Sequence, residues 1–189
     1  PKKEQEVKEI EEMLDNYAYK VVDIVKKEIK RNPYPPYTTS TLQQSANNVL
    51  GFSAKKTMTL AQRLYQAGYI TYMRTDSVYL AQKAIKEIRE VIADKYGKQY
   101  LPEKERYYKN KAKNAQEAHE AIRPTDFSFD SSKLSSDEAK LYNLIWKRAV
   151  SSQMNPEIVE DLNIYFEPEA ELKYKFTFLA KGQKIIFDG

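Results

Sequence analysis

Cysteine is absent from all 189 residues. That excludes a disulfide framework and thiolate metal sites, and it leaves the redox compartment undetermined. No apolar run approaches the roughly 20 residues needed to span a bilayer, so no membrane partner is expected. No segment reads as a signal peptide, and a cytoplasmic protein is the simplest expectation. Histidine occurs once, at His119. The chain starts without Met and stops at Phe187-Asp188-Gly189, so an excised piece of a longer chain is expected.

The composition is 41% hydrophobic and 31% charged, enough for a sizeable core under a well solvated surface in one domain or one and a half. The net charge of +4 is unevenly placed. Residues 33–128 hold 15 basic against 9 acidic side chains, a net of +6, while residues 1–32 balance and residues 129–189 are net −2. A basic middle segment attracts polyanions; it is also what a solvated lysine-rich surface looks like.

The apolar spacing predicts a polar helix over residues 2–14 and a strand over 19–25, followed by a basic run at 26–31. Three prolines among Pro33-Tyr34-Pro35-Pro36 stiffen the chain and forbid a helix, so a domain boundary is placed there. Thr38-Thr39-Ser40-Thr41 supplies N-cap candidates for a helix over 41–50 that Gly51 ends. A second helix over 55–67 carries Met58, Leu60, Ala61, Leu64 and Tyr65 on one side, and Gly68 closes it. Two helices and an extended wing read as a winged helix-turn-helix, a pattern that serves DNA binding or plain scaffolding.

The wing is Gly68-Tyr69-Ile70-Thr71-Tyr72-Met73-Arg74-Thr75-Asp76-Ser77. Read as a strand, it alternates faces: Tyr72, Arg74 and Asp76 point one way, and Thr71, Met73 and Thr75 the other. A phenol, a guanidinium and a carboxylate suit chemistry on a phosphate, because the guanidinium grips phosphate oxygens bidentately. The same spacing also fits an ordinary polar strand face.

Ser77 is expected to cap a third helix reaching about Tyr96, with Leu80, Ala84, Ile85, Ile88, Val91 and Ile92 as its buried stripe. The loop 98–114 interleaves Lys104, Arg106, Lys109, Lys111 and Lys113 with Tyr107 and Tyr108, a texture suited to single-stranded nucleic acid or to a solvated loop. A short helix over 115–123 would place Gln116, His119, Glu120 and Arg123 on one side. A long helix comes next, reaching about Met154 and burying Leu141, Leu144, Ile145, Trp146 and Val150. Strands over 160–166, 172–180 and 184–187 close the chain, with Gly182 in a turn. The fold class is therefore α+β, a mainly helical domain inserted into part of a β-rich domain.

Three stretches carry a family resemblance: Pro36-Tyr37-Thr38-Thr39-Ser40-Thr41-Leu42-Gln43, the Ala67–Ser77 wing, and Gln116-Glu117-Ala118-His119-Glu120-Ala121-Ile122-Arg123-Pro124. In this order they resemble bacterial type IA DNA topoisomerase I. The resemblance implies that residues 37–156 form the catalytic-tyrosine domain, related to the helix-turn-helix fold of the catabolite activator protein. Residues 1–36 and 157–189 would be parts of a β-rich arch domain. It implies that Tyr72 is the nucleophile, Arg74 the phosphate clamp and His119 a neighbour of the scissile phosphate, with Asp76, Glu120 and Arg123 in support. Asp76 is further expected to pair with His119. DNA contacts are expected from Thr38, Thr39, Ser40, Gln43, Lys55, Lys56 and Arg63. The family cuts and reseals one strand of negatively supercoiled DNA without ATP through a 5′-phosphotyrosine intermediate, acting on a single-stranded segment. It also uses a Toprim domain whose glutamate, lysine and Asp-x-Asp serve Mg2+. No Asp-x-Asp occurs here, so no cofactor is expected in this chain, its partners would include the Toprim and remaining domains, and the chain alone is expected to be inactive. A nucleoid-associated, cytoplasmic location is implied by the same resemblance.

Overall fold

The computed structural model describes residues 4, 7, 8, 11, 17–109, 119–169 and 176–189. The chain divides into two compact units, Pro1–Arg31 with Glu157–Asp188, and Asn32–Pro156.

The first unit is a three-stranded antiparallel sheet in the order β1 (Tyr19–Arg31), β2 (Glu157–Pro168), β3 (Phe178–Phe187). Glu4, Val7, Lys8 and Glu11 before it are helical. The strand expected at 19–25 runs on through the basic stretch to Arg31, because charge across the ladder supports pairing: Lys26 meets Glu160 at 3.7 Å and Arg31 meets Glu157 at 3.2 Å. A bulge lies between Val21 and Asp23. The turn expected at Gly182 is also corrected. Gly182 sits inside β3 opposite Leu162, and the ladder on either side holds it extended. Residues 172–175 of the expected strand lie outside the described ones. Tyr19, Phe166 and Phe178 form an aromatic cluster across all three strands, with ring centroids 5.5 to 6.2 Å apart.

The second unit is helical. Helix α1 (Thr39–Leu50) begins two residues before the sequence reading, since Thr38 and Thr41 form a reciprocal capping box and Gly51 closes the end at φ 67°. Helix α2 (Ala54–Gln66) is capped by the Ser53 hydroxyl. Helix α3 (Gln82–Lys95) starts four residues later than a Ser77 cap would place it. Ser77 does not cap it; the Ser77 hydroxyl instead accepts from Tyr79 N, and residues 77–81 lie outside any helix or strand, with Leu80 buried. Helix α4 (Ser136–Ser151) carries Asp137 and Glu138 in its first turn, where the helix dipole favours them.

Two apolar clusters hold this unit. Tyr37, Leu42, Leu60, Leu64, Ile70, Met73, Ile122, Leu141 and Ile145 form one; Leu80, Ile85, Ile88, Ile92, Phe127, Val150 and Met154 form the other. Trp146 packs against both and donates its indole N–H to Phe127 O at 3.0 Å. Val91, Leu144 and Trp146 are only partly buried, and Tyr65, expected on the core side of α2, is exposed. Ile88 is fully enclosed, so Ile88→Ala is expected to cost about 2–5 kcal/mol. Urea unfolding checks this, with a lower midpoint at an unchanged slope.

Candidate active site

The chain leaves α2 at Gly68, whose φ of 81° reverses its direction. The next residues do not form the regular strand that their spacing suggests: Ile70 makes an isolated antiparallel bridge to Pro124, and the rest is irregular. Threonine hydroxyls stand in for a ladder. Thr71 donates its hydroxyl to Ala121 O at 2.7 Å and accepts from Arg123 N at 2.9 Å, while Thr71 N donates to Arg123 O at 2.9 Å. Thr39 donates its hydroxyl to Met73 O at 2.7 Å and accepts from Thr75 N at 2.9 Å; Thr39 N donates to Thr75 O at 2.9 Å. Ile122 N then donates to Tyr37 O at 2.8 Å. Residues 37–39, 69–77 and 119–125 are thus laced side by side.

The lacing holds the alternation that the spacing implied. Met73, Thr75 and Ser77 are buried, whereas Tyr72, Arg74 and Asp76 are exposed. Tyr72 is 43% exposed, and its ring meets the edge of Tyr65 at 5.2 Å between centroids. Neither the Tyr72 hydroxyl, the Arg74 guanidinium nor the Asp76 carboxylate has a hydrogen-bond or ion-pair partner among the described residues.

The helix expected over 115–123 is overturned from His119 onward, where the chain is extended, with bridges at Ile122 and Pro124. Tyr37 and Thr71 claim the backbone groups that a helix would use internally. Gln116 lies outside the described residues. His119 is exposed, and no hydrogen bond or ion pair joins it to Asp76, so the expected pairing does not form. Glu120 and Arg123 instead bind each other, with Arg123 Nη2 to Glu120 Oε2 at 2.8 Å. Glu120 Oε1 also accepts from Ala81 N at 2.7 Å, which anchors the entry to α3.

The expected DNA contacts lie at the start of α1 and along α2. Thr38 is committed to capping α1, Ser40 is exposed with its hydroxyl 3.2 Å from that of Thr38, and Gln43 is half-buried. Lys55 is exposed and unpaired among the described residues. Lys56 pairs with Asp137 at 2.7 Å and lies over the Phe52 ring, while Arg63 approaches Glu138 at 4.0 Å. The Lys56 hydrogen bond holds the Asp137 carboxyl below its usual range.

A pocket of about 690 Å³ lies elsewhere, between α3 and residues 125–128. Glu87, Glu90, Asp94 and Asp126 line it, which makes it repellent to phosphate. The exposed Tyr72 face is the better candidate because it can present a nucleophile and a cation to an anionic group.

Reasoning from sequence missed the threonine lacing and the Glu120 anchor, since neither depends on local periodicity; the hydroxyls of Thr39 and Thr71 were the available signal. Thr39→Val keeps the shape but leaves Met73 O and Thr75 N without that partner, at an expected cost of about 1–3 kcal/mol in a thermal melt. Thr39→Ser should stay near wild type in the same measurement.

The family model described as DNA topoisomerase matches residues 1–189. The chain is 46% identical over 198 residues to DNA topoisomerase 1 of Rickettsia bellii, covering 98% of this chain and 24% of that protein. It is 46% identical over 190 residues to DNA topoisomerase 1 of Campylobacter jejuni, covering 94% and 26%. Full-length topoisomerase I from Thermotoga maritima superposes with a TM-score of 0.80 at 35% identity, over 96% of this chain and 30% of that one. The chain belongs to the DNA topoisomerase family. Its relatives here are bacterial type I enzymes, and it spans about a quarter of their length.

Proposed function

We propose that this chain carries the nucleophile half of a type IA DNA topoisomerase active site. The observation that supports this most is Tyr72, exposed and with no hydrogen-bond partner for its hydroxyl among the described residues, near an Arg74 that makes no ion pair among them, on a segment locked by Thr39 and Thr71. Residues 37–156 are its winged-helix catalytic-tyrosine domain, of the catabolite-activator type, and the sheet unit is part of the arch. Its substrate is a single-stranded segment of negatively supercoiled DNA, and its location is cytoplasmic, on the nucleoid. No described helix is long and apolar enough to cross a membrane.

Free tyrosine has a pKa near 10, so the hydroxyl must lose its proton as its oxygen attacks phosphorus. A new phosphorus–oxygen ester forms with Tyr72, the bond to the 3′ oxygen breaks, and that oxygen takes a proton. The broken 5′ end stays on the protein. The ester conserves the bond energy, so the 3′ hydroxyl can attack it in reverse without ATP. Arg74 grips the non-bridging oxygens, and His119 borders the same phosphate as donor. Among the described residues, no group of three or more histidine, aspartate or glutamate side chains could hold a metal ion. On this reading Mg2+ would be held by the Toprim domain of the complete protein, as the family resemblance implies, and no step here runs through it. The chain alone is inactive on this reading.

A non-catalytic winged-helix DNA binder would use the same helices but leaves the Tyr72 face without a purpose. Single-stranded DNA labelled at either end separates the readings. With the complete protein under denaturing quench, label downstream of the break, on the 5′-phosphate side, should migrate with protein and upstream label should not. Adduct on the other side would indicate a 3′ linkage and sink the assignment; no adduct at all would favour the binder.

A further inference from the structure

The segment before the Tyr72 machinery carries a second arrangement of rings and cations. Tyr34 is 73% exposed, the highest value among the exposed large apolar side chains of the described residues. Proline on both sides fixes its backbone, and the half-buried Tyr108 rivets the segment, its hydroxyl lying 3.1 Å from Pro33 O and 2.8 Å from Ser152 O. Arg148 of α4 is layered between rings, 5.1 Å from the Tyr34 centroid and 4.3 Å from that of Tyr37. Arg106 lies on the same side, donating to Met154 O at 2.8 Å and to Asn32 Oδ1 at 3.5 Å. Neither arginine meets a carboxylate among the described residues. Burial raises the pKa of the Tyr108 hydroxyl, and the Arg106 and Arg148 charges oppose that in part.

We infer that Tyr34, backed by Arg148 and Arg106, is a stacking platform for one base of single-stranded DNA, separate from the Tyr72 face. The inference rests on the proposed function only in taking DNA as the ligand. The chemistry is complementary on both counts. A base has a π-face to lay on the exposed Tyr34 ring, and its phosphate finds cations that no carboxylate among the described residues pairs. The ring is already held in place, so stacking on it orders little chain. A protein partner would meet the same ring, but the two unneutralised arginines favour a polyanion. The aromatic-basic texture read from the loop 98–114 contributes the half-buried Arg106 and Tyr108 to this patch; Lys111 and Lys113 lie outside the described residues.

The test uses the complete protein with two fluorescein-labelled 20-mers, oligothymidylate and an abasic strand of the same length. Tyr34→Ala should raise Kd for oligothymidylate about tenfold and leave the abasic strand unchanged. Tyr34→Trp should restore the thymidylate affinity. Arg148→Gln should weaken both strands and lower the salt slope by about one. Equal Kd for wild type and Tyr34→Ala, or equal weakening of both strands by Tyr34→Ala, overturns the platform; so would a wild-type protein that does not distinguish the two strands. These are non-covalent affinities. Loss of the Tyr72 assignment, seen as covalent adduct in a Tyr72→Phe protein, would leave them standing.

Discussion

Tyr72→Phe in the complete protein is expected to abolish covalent capture of DNA while leaving non-covalent affinity within about twofold. The exchange removes one oxygen. The ring contact with Tyr65 at 5.2 Å remains, and the hydroxyl has no partner among the described residues to orphan. An exposed change of this kind moves stability by no more than about 0.5 kcal/mol. The loss should therefore be chemical, with no shift in melting temperature. A denaturing gel with end-labelled single-stranded DNA reads the adduct directly. Persistent adduct in the Phe protein would move the nucleophile to another side chain; a large drop in melting temperature would make the variant uninformative about chemistry and contradict the exposed placement.

Arg74→Ala carries the second largest effect. Removing one preorganised contact to a charge that develops in the transition state costs about 10²–10³ in rate. The backbone that carries Arg74 is held by its neighbours: Thr39 holds Met73 O at 2.7 Å and Thr75 N at 2.9 Å, one residue to each side of Arg74. The side chain itself makes no ion pair among the described residues, so folding should be nearly untouched. Arg74→Lys keeps the charge and loses the fork, and its single-turnover cleavage rate should fall between those of wild type and Arg74→Ala. A lysine variant as slow as alanine would assign the contribution to geometry alone; an alanine variant at full rate would remove Arg74 from the site.

The two variants also separate the roles within this face. Glu120 and Arg123 are bound to each other, and Glu120 holds the start of α3. Their substitution should appear first in stability. Asp76 and His119 are exposed and unjoined, so what either contributes depends on DNA or on another part of the complete protein.

The helices were legible in the chain because each carries a local record. Gly51 and Gly68 stop α1 and α2, Ser53 caps α2, and Ile85, Ile88 and Ile92 recur at helical spacing on α3. Exposure of Tyr72, Arg74 and Asp76 on one side was legible for the same reason, since alternation is a property of any extended chain. The quoted motifs carried the family. What no local pattern carried was the fate of backbone groups that bond at long range. His119 to Pro124 scans as a helix, yet Tyr37 and Thr71, far away along the chain, claim its amides and carbonyls and hold it extended. The basic run after Val25 scans as a break, yet β2 supplies Glu160 and Glu157 across the ladder and the strand continues. Sequence alone determined most of the helices, the family and the residues proposed for the chemistry. Tertiary structure decided which polar groups are consumed internally, as in Glu120 and Arg123, and which find no polar partner among the described residues, as in Tyr72 and Arg74, because hydrogen-bond partners are allotted by proximity in space and the chain records only proximity along itself.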